Sequence, residues 1–90
     1  MEEMTVTVDH EAGLHARPLA QFVKVVRQFN SEIQVSNLTR EKGPVKANSP
    51  LQLMLLAVSQ GHQIKVQANG TDAKEALEAV KQLIDNNFNE

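Results

Sequence analysis

Residues 4–26 read MTVTVDHEAGLHARPLAQFVKVV, and within this stretch the spacing of apolar residues changes from that of a strand to that of a helix. Residues 4–8 alternate between apolar side chains and threonines, which is typical of a half-exposed β-strand. After a loop that carries Gly13, apolar residues recur every three or four positions from His15 to about Asn30, which predicts a helix with one buried face. The stretch therefore predicts a β-α unit joined by a short loop.

The rest of the chain predicts three more strands and two more helices. Strands are expected around Ile33–Val35, Val45–Ala47 and Ile64–Ala68, with a charged, exposed turn over residues 39–44. The order β-α-β-β-α-β-α, with one apolar face on each strand, predicts an α+β fold. We expect a four-stranded antiparallel sheet covered by helices on one face.

Both later helices have recognisable starts. Residues 49–52, Ser-Pro-Leu-Gln, combine an N-cap serine, a proline at the first helical position and the glutamine of a capping box. Thr71 or Asp72 can cap the last helix. The buried stripe of that helix is expected to contain Ala73, Ala76, Leu77, Val80, Ile84 and Phe88.

Length and composition limit the function classes. Ninety residues allow one small domain, expected over residues 1–90, and 41% hydrophobic against 22% charged residues is typical of a soluble globular protein. No cysteine is present, which excludes disulfides, thiolate metal sites and a cysteine nucleophile. Few aromatic rings and a net charge of −2 disfavour nucleic-acid binding. With neither a signal peptide nor a long apolar run, we expect a cytoplasmic protein without membrane insertion. We also expect no metal and no cofactor.

The motif GLHARP, residues 13–18, is the strongest candidate for chemistry. The unsatisfied N–H groups and the positive dipole end of a first helical turn favour an anion. The same end disfavours a second positive charge, so it favours a neutral, nucleophilic His15. Arg17 can then bind phosphate oxygens as a forked donor. Each residue alone is ordinary at a helix start, but their combination in a strand-to-helix loop suggests a site that holds a phosphoryl group.

GLHARP, followed by LAQFVK at residues 19–24, resembles the HPr family, the histidine phosphocarriers of the bacterial phosphoenolpyruvate-dependent phosphotransferase system. The resemblance extends through Ser49, Gly61 and the turn at 68–70 to the last helix. It implies an open-faced β-sandwich with three helices on one face. It also implies that His15 accepts a phosphoryl group on Nδ1 from phosphorylated enzyme I and passes it to an enzyme II-type acceptor, as a carrier without turnover of its own.

The resemblance also assigns roles around His15. Ala16 and Arg17 would donate backbone N–H groups to the phosphate, the Arg17 side chain would supply the counter-charge, and Pro18 would fix the first turn. In one bacterial lineage of the family the serine corresponding to Ser49 is phosphorylated by a kinase. Because Pro50 follows Ser49 where those members carry an aliphatic residue, we do not expect this regulation here. Residues 47–49, Ala-Asn-Ser followed by leucines, resemble the nitrogen-related branch of the family.

The helix expected over Pro50–Val58 is apolar on two sides. On a helical wheel, Leu51, Met54, Leu55 and Val58 should face the sheet, with Leu53 and Leu56 opposite. An exposed apolar patch of this kind commonly binds a partner. By analogy with the family, we expect a partner-docking surface on the first two helices of a monomeric protein, made of Leu19, Phe22, Lys24, Arg27, Leu51, Leu53 and Met54.

Other interpretations of the sequence make different predictions. The remaining histidines, His10 and His62, have no partners at metal-ligand spacing and are expected at the surface. A regulatory module on the same fold would control targets by phosphorylation-dependent docking, and this role is compatible with a carrier. A ferredoxin-like binder of small molecules or nucleic acid would need a basic or aromatic sheet face. The outward positions instead carry mostly uncharged polar residues: Thr5, Thr7, Gln34, Ser36, Lys65 and Gln67.

Overall fold

The computed structural model describes residues 1–89, without the side-chain surroundings of Ala16 and Asn89. Within these residues it contains one four-stranded antiparallel sheet and three α-helices in the predicted order, so the predicted α+β fold is confirmed. The strands are β1 (Glu2–Thr7), β2 (Glu32–Asn37), β3 (Lys42–Lys46) and β4 (Gln63–Asn69), and the helices are α1 (Ala16–Val26), α2 (Pro50–Leu55) and α3 (Ala73–Asp85). A 3-10 turn, Asn87–Asn89, follows α3. No helix within residues 1–89 is both long and apolar enough to cross a lipid bilayer.

The sheet has the strand order β1-β4-β2-β3, and its apolar face forms one side of the core. Val66 at the centre of β4 lies opposite Met4 of β1 and Val35 of β2. Ile64, Val66 and Ala68 are fully buried, whereas Lys65 between them is half-exposed on the other face. This strict alternation places the helices against one face and leaves a polar face open. Helix α3 packs on β4 and β1, and α1 lies beside both α3 and α2.

The predicted faces of α2 are wrong. Leu53 is fully buried, whereas Leu51, Met54 and Leu55 are 70%, 51% and 65% exposed. The predicted buried face includes Val58, but α2 ends at Leu55, before that residue. Ala57 has a left-handed backbone, and the turn that it makes brings Val58 into the core from a loop instead. Leu53 and the C-cap Leu56 therefore hold α2 against the sheet.

Other boundaries also differ from the expectation, and the first is the end of α1, which lies at Val26 rather than near Asn30. Gly43 and Pro44 lie inside β3 rather than in a turn, and β3 is an edge strand, where a missing proline N–H is tolerated. Phe88 is not part of α3, which ends at Asp85. Asn87 and Phe88 both have left-handed backbones, with φ values of 53° and 59°, and this turn returns the Phe88 ring to the core.

Asp72 ties together two distant connections. It occupies the N-cap position of α3, but its side chain makes no capping hydrogen bond. Its carboxylate instead accepts hydrogen bonds from the backbone N–H groups of Asn30 at 2.8 Å and Ser31 at 2.9 Å, and from the Ser31 hydroxyl. The Ser31 hydroxyl, followed by the Asn30 N–H, holds the pKa of Asp72 below its ordinary value. The α1–β2 connection is thereby joined to the start of α3.

Candidate functional site

His15 is the N-cap residue of α1, and its imidazole is exposed to solvent. Its backbone is extended, with φ −127° and ψ 158°, and its side chain makes no capping hydrogen bond. No acidic residue lies in the first turn to compete for the helix N-terminus. The start of α1 therefore presents an imidazole beside backbone donors that no N-cap side chain satisfies, which favours an anion.

The first turn of α1 has the composition that the motif predicted. Arg17 is exposed two residues after His15, and Pro18 is buried at the third helical position. Because proline has no N–H, the backbone donors before it in this turn belong to residues 16 and 17. The surroundings of the Ala16 side chain lie outside the described residues. A guanidinium two residues after the imidazole, together with the two backbone donors of the first turn, can bind the oxygens of a tetrahedral anion.

The loop that leads into His15 is fixed by close backbone packing. Gly13 has a φ of 60° and donates its N–H to the His10 carbonyl at 2.8 Å, and Leu14 donates to the Val58 carbonyl at 3.0 Å. A Cβ atom on Gly13 would lie 2.2 Å from the Val58 carbonyl oxygen, so only glycine fits. Leu14 is 1% exposed and anchors the end of the loop in the core.

The segment behind this loop is itself held by His62. The Nδ1 atom of His62 accepts the Ser59 N–H at 3.1 Å and lies 3.2 Å from Nδ2 of the buried Asn37. The backbone of His62 also accepts the N–H of Val8 at 2.9 Å. The expectation that His62 is a surface residue is therefore wrong: it is half-buried and braces the turn before β4.

His10 is also not a surface residue. It is 6% exposed, its Nδ1 accepts the Ala12 N–H at 3.0 Å, and its ring lies edge-on to Phe88 with the ring centres 5.6 Å apart. No local pattern marks this position as buried, because Phe88 comes from the other end of the chain. Of the three histidines, only His15 is exposed. In the described part of the chain, no three His, Cys, Asp or Glu side chains group as a metal site would require.

The predicted docking residues divide into exposed and buried groups. Phe22 and Leu53 are fully buried, so their side chains cannot form a surface, and this part of the prediction is wrong. Lys24 and Arg27 are exposed on α1. A groove of about 420 Å³ runs between α1 and the start of α2, lined by Leu19, Ala20, Val23, Lys24, Arg27 and Pro50. Leu51 and Met54 are exposed on α2.

Ser49 acts as the N-cap of α2, as predicted. Its Oγ accepts the Gln52 N–H at 3.3 Å. The other half of the expected capping box is absent, because Oε1 of Gln52 accepts the Lys46 N–H at 3.0 Å instead. Gln52 therefore ties α2 to β3, and the half-buried Ser49 hydroxyl already has a structural role.

Fold and site together define a class: a small open-faced α+β sandwich that presents one histidine at an uncapped helix start. Residues 2–86 match the family model PTS-HPr, described as the PTS HPr component phosphorylation site. The chain is 41% identical over 90 residues to phosphocarrier protein HPr of Xylella fastidiosa strain Temecula1, which covers 100% of this chain and 98% of that protein. The chain belongs to the HPr family.

Other relatives include both much longer proteins and proteins of similar length. A multiphosphoryl transfer protein of Haemophilus influenzae is 44% identical over 86 residues, which is 96% of this chain but 17% of that protein. The chain thus spans about a fifth or less of the multiphosphoryl transfer proteins that it matches. Phosphocarrier protein NPr of Escherichia coli K12 is 34% identical, covering 98% of this chain and 96% of that protein. A crystal structure of HPr-C-His from Thermoanaerobacter tengcongensis matches with a TM-score of 0.93 and 40% identity, covering 100% of this chain and 98% of that chain.

Proposed function

We propose that this chain is a phosphocarrier of the phosphoenolpyruvate-dependent phosphotransferase system. In this proposal His15 accepts a phosphoryl group from enzyme I and passes it to an enzyme II-type acceptor in the cytoplasm. The exposed His15 imidazole at a helix start that its own side chain does not cap is the observation that carries the proposal. Relatives named phosphocarrier protein and multiphosphoryl transfer protein support it.

The transfer is a simple exchange of one bond to phosphorus. The unprotonated ring nitrogen of His15, Nδ1 by the family resemblance, attacks the phosphorus of the phosphorylated donor. A phosphorus–nitrogen bond forms on His15 while the bond to the donor breaks, and the electron pair of that bond stays with the donor. Transfer to the acceptor repeats the exchange in the opposite direction. The main tasks of the carrier are therefore to position the ring and to stabilise phosphoryl oxygens.

The groups at the start of α1 suit these tasks. The Arg17 guanidinium offers a forked donor to phosphoryl oxygens, and the backbone N–H groups of Ala16 and Arg17 add two further donors. Pro18 removes one backbone donor and fixes φ in the first turn. The first turn contains no carboxylate that would repel a phosphoryl group.

We assign partner docking to the exposed residues beside this site. Lys24 and Arg27 give the groove between α1 and α2 a positive edge, and Leu51 and Met54 add exposed apolar area. The arrangement fits a partner with an acidic and apolar surface, bound by a monomeric carrier. Ser49 is not assigned a regulatory role, because its hydroxyl already caps α2.

The proposal is tested by incubating the protein with phosphoenolpyruvate and enzyme I, and then measuring its intact mass before and after acid treatment. We expect one phosphoryl group per chain that is lost in acid, as phosphohistidine is. His15→Ala should take up none, whereas Ser49→Ala, which changes the start of α2, should take up one. The absence of acid-labile phosphate, or its persistence in His15→Ala, would refute the carrier function.

A further inference from the structure

The side chain of His10 makes contacts that the transfer chemistry at His15 does not use. Its Nδ1 accepts the N–H of Ala12 at 3.0 Å, and its own carbonyl accepts the N–H of Gly13 at 2.8 Å. A side-chain acceptor that binds the N–H two residues later is the arrangement of an Asx turn, here made by an imidazole. His10 therefore sets the shape of residues 10–13 through both its side chain and its backbone.

The ring of His10 is fixed from outside the loop as well. It meets the Phe88 ring at 85° with a centre-to-centre distance of 5.6 Å, an edge-on contact. His10 and Phe88 are 6% and 1% exposed, so both rings lie within the packed interior. A neutral imidazole with Nδ1 as acceptor carries its proton on Nε2, which fixes the tautomer as well as the position.

The conformation at His10 affects the position of His15 through residues 12–14, whose backbone makes close contacts. After the Ala12 N–H, the next residue is Gly13, whose backbone packs so closely on Val58 that no Cβ fits. Leu14 then donates its N–H to the Val58 carbonyl at 3.0 Å, and His15 follows. If the peptide group between residues 11 and 12 rotated, the backbone of Gly13 or Leu14 would have to change to compensate. Such a change would break these contacts. It would therefore shift the point from which the His15 ring projects.

We infer that His10 is a positioning residue for phosphoryl transfer at His15. It fixes the loop before α1 through its Nδ1 hydrogen bond to the Ala12 N–H, and the Phe88 ring holds its imidazole in place. The inference rests on the proposed function, because positioning matters only if His15 accepts a phosphoryl group. Small displacements of a reacting group from its productive geometry are enough to slow a transfer strongly.

Two substitutions separate the hydrogen bond from the ring packing. His10→Asn keeps an acceptor in Asx-turn position but loses the ring, whereas His10→Phe keeps a ring beside Phe88 but has no acceptor. Phosphorylation by enzyme I and phosphoenolpyruvate is then followed at varied carrier concentration. We expect His10→Phe to lower kcat about tenfold with KM unchanged, because the docking surface is intact. We expect His10→Asn to stay within about twofold of the wild type.

The outcomes distinguish this inference from the proposed function. If the wild type takes up no phosphate, the proposed function fails and this inference fails with it. If the wild type is phosphorylated and His10→Phe matches it, or if His10→Asn is as slow as His10→Phe, only the positioning role of His10 is refuted. Thermal unfolding of both variants checks that the fold is kept.

A second measurement needs no variant and no enzyme. Long-range ¹H–¹⁵N correlation spectra of the wild-type imidazoles at neutral pH report which ring nitrogen carries the proton. For His10 we expect the Nε2–H tautomer, with an unprotonated Nδ1 that accepts a hydrogen bond. An Nδ1–H tautomer would overturn the inference even if His10→Phe failed to fold.

Discussion

The helices α1 and α2 begin in opposite ways. The N-cap of α2 is Ser49, whose hydroxyl accepts the Gln52 N–H at 3.3 Å and satisfies the start of that helix. The N-cap of α1 is His15, whose side chain makes no such bond and remains exposed. An N-cap of the first kind stabilises a protein by about 1 kcal/mol. Leaving α1 without one forgoes that stability and keeps backbone donors and the His15 imidazole accessible to a ligand.

The two starts are also supported differently. The short α2 is anchored by one of its own residues, because Leu53 is buried in the core. The start of α1 is held from the preceding loop, where Gly13 and Leu14 bond to His10 and Val58. The exposed start of α1 is thus held in place by backbone hydrogen bonds of the loop that precedes it. Substitutions at the two helix starts should therefore differ in their effects on stability and on phosphorylation.

A serine N-cap on α1, like that of α2, should raise the free energy of unfolding and abolish phosphorylation. In His15→Ser the hydroxyl can accept an N–H of the first turn, so the free energy of unfolding should rise by about 0.5 to 1 kcal/mol. Acid-labile phosphorylation should fall to zero, because the nucleophilic nitrogen is gone. Urea unfolding and intact mass measure the two effects. A variant that is less stable than the wild type would contradict the description of α1 as uncapped.

The two sides of α2 should differ sharply in what they contribute to stability. Leu53→Ala removes a fully buried side chain and should cost about 2 to 5 kcal/mol. Leu51→Ala, on the same short helix, changes a side chain that is 70% exposed and should change stability by about 0.5 kcal/mol or less. Urea unfolding of the pair is the measurement. Equal losses would show that the exposed and buried faces are wrongly assigned.

Gly13 should be the most sensitive position in the loop behind His15. Gly13→Ala adds a Cβ 2.2 Å from the Val58 carbonyl oxygen at a φ of +60°, and it should cost about 3 kcal/mol. It should also slow phosphorylation by enzyme I, because the loop must shift. Gly61→Ala is the matched control: its φ is +88°, but no atom lies within 4 Å of the added Cβ. There we expect a loss of about 1 kcal/mol and no change in phosphorylation rate.

The cap of α2 should matter for stability alone. Ser49→Ala removes the acceptor for the Gln52 N–H and should cost about 1 kcal/mol, whereas Ser49→Asn retains a capping acceptor and should cost much less. Both variants should be phosphorylated at His15 at the wild-type rate. A slower rate in Ser49→Asn would indicate that the two helix starts are coupled.

The start of α3 should respond to acid. Because hydrogen bonds hold the pKa of Asp72 below its ordinary value of 3.8, they stabilise the fold fully above that pH. This contribution is lost as the pH falls through the lower pKa of the folded state. Asp72→Asn should therefore give a flatter curve of stability against pH below about pH 4. Urea unfolding over that range checks it, and parallel curves for wild type and variant would contradict it.

The sequence predicted the parts of the molecule that depend on neighbouring residues. The alternation in residues 4–8, the helical spacing after His15 and the capping serine at 49 all act within a few positions, and the order of strands and helices along the chain and the starts of α1 and α2 followed from them. GLHARP places His15 and Arg17 together for the same reason. Local patterns were sufficient because these features are fixed by local backbone geometry.

The features that were missed depend on a distant contact or on a left-handed turn without glycine. The burial of His10 requires Phe88, which a left-handed turn after α3 brings back to the core. The buried side of α2 depends on where that helix ends, and the left-handed Ala57, with a φ of 51°, decides that Val58 is no longer helical. Neither turn contains a glycine that would mark it in the sequence. A helical wheel extended past Leu55 therefore gave the wrong face.

The most direct test of the account compares the two helix starts during phosphorylation. ¹H–¹⁵N spectra of the protein are recorded before and after addition of phosphoenolpyruvate and a catalytic amount of enzyme I. We expect the backbone amide of Arg17 to shift strongly downfield as it donates to the phosphoryl group on His15, while the amide of Gln52, bonded to Ser49, stays in place. A phosphorylated protein in which the Arg17 amide does not move would contradict the claim that the open start of α1 binds the phosphoryl group.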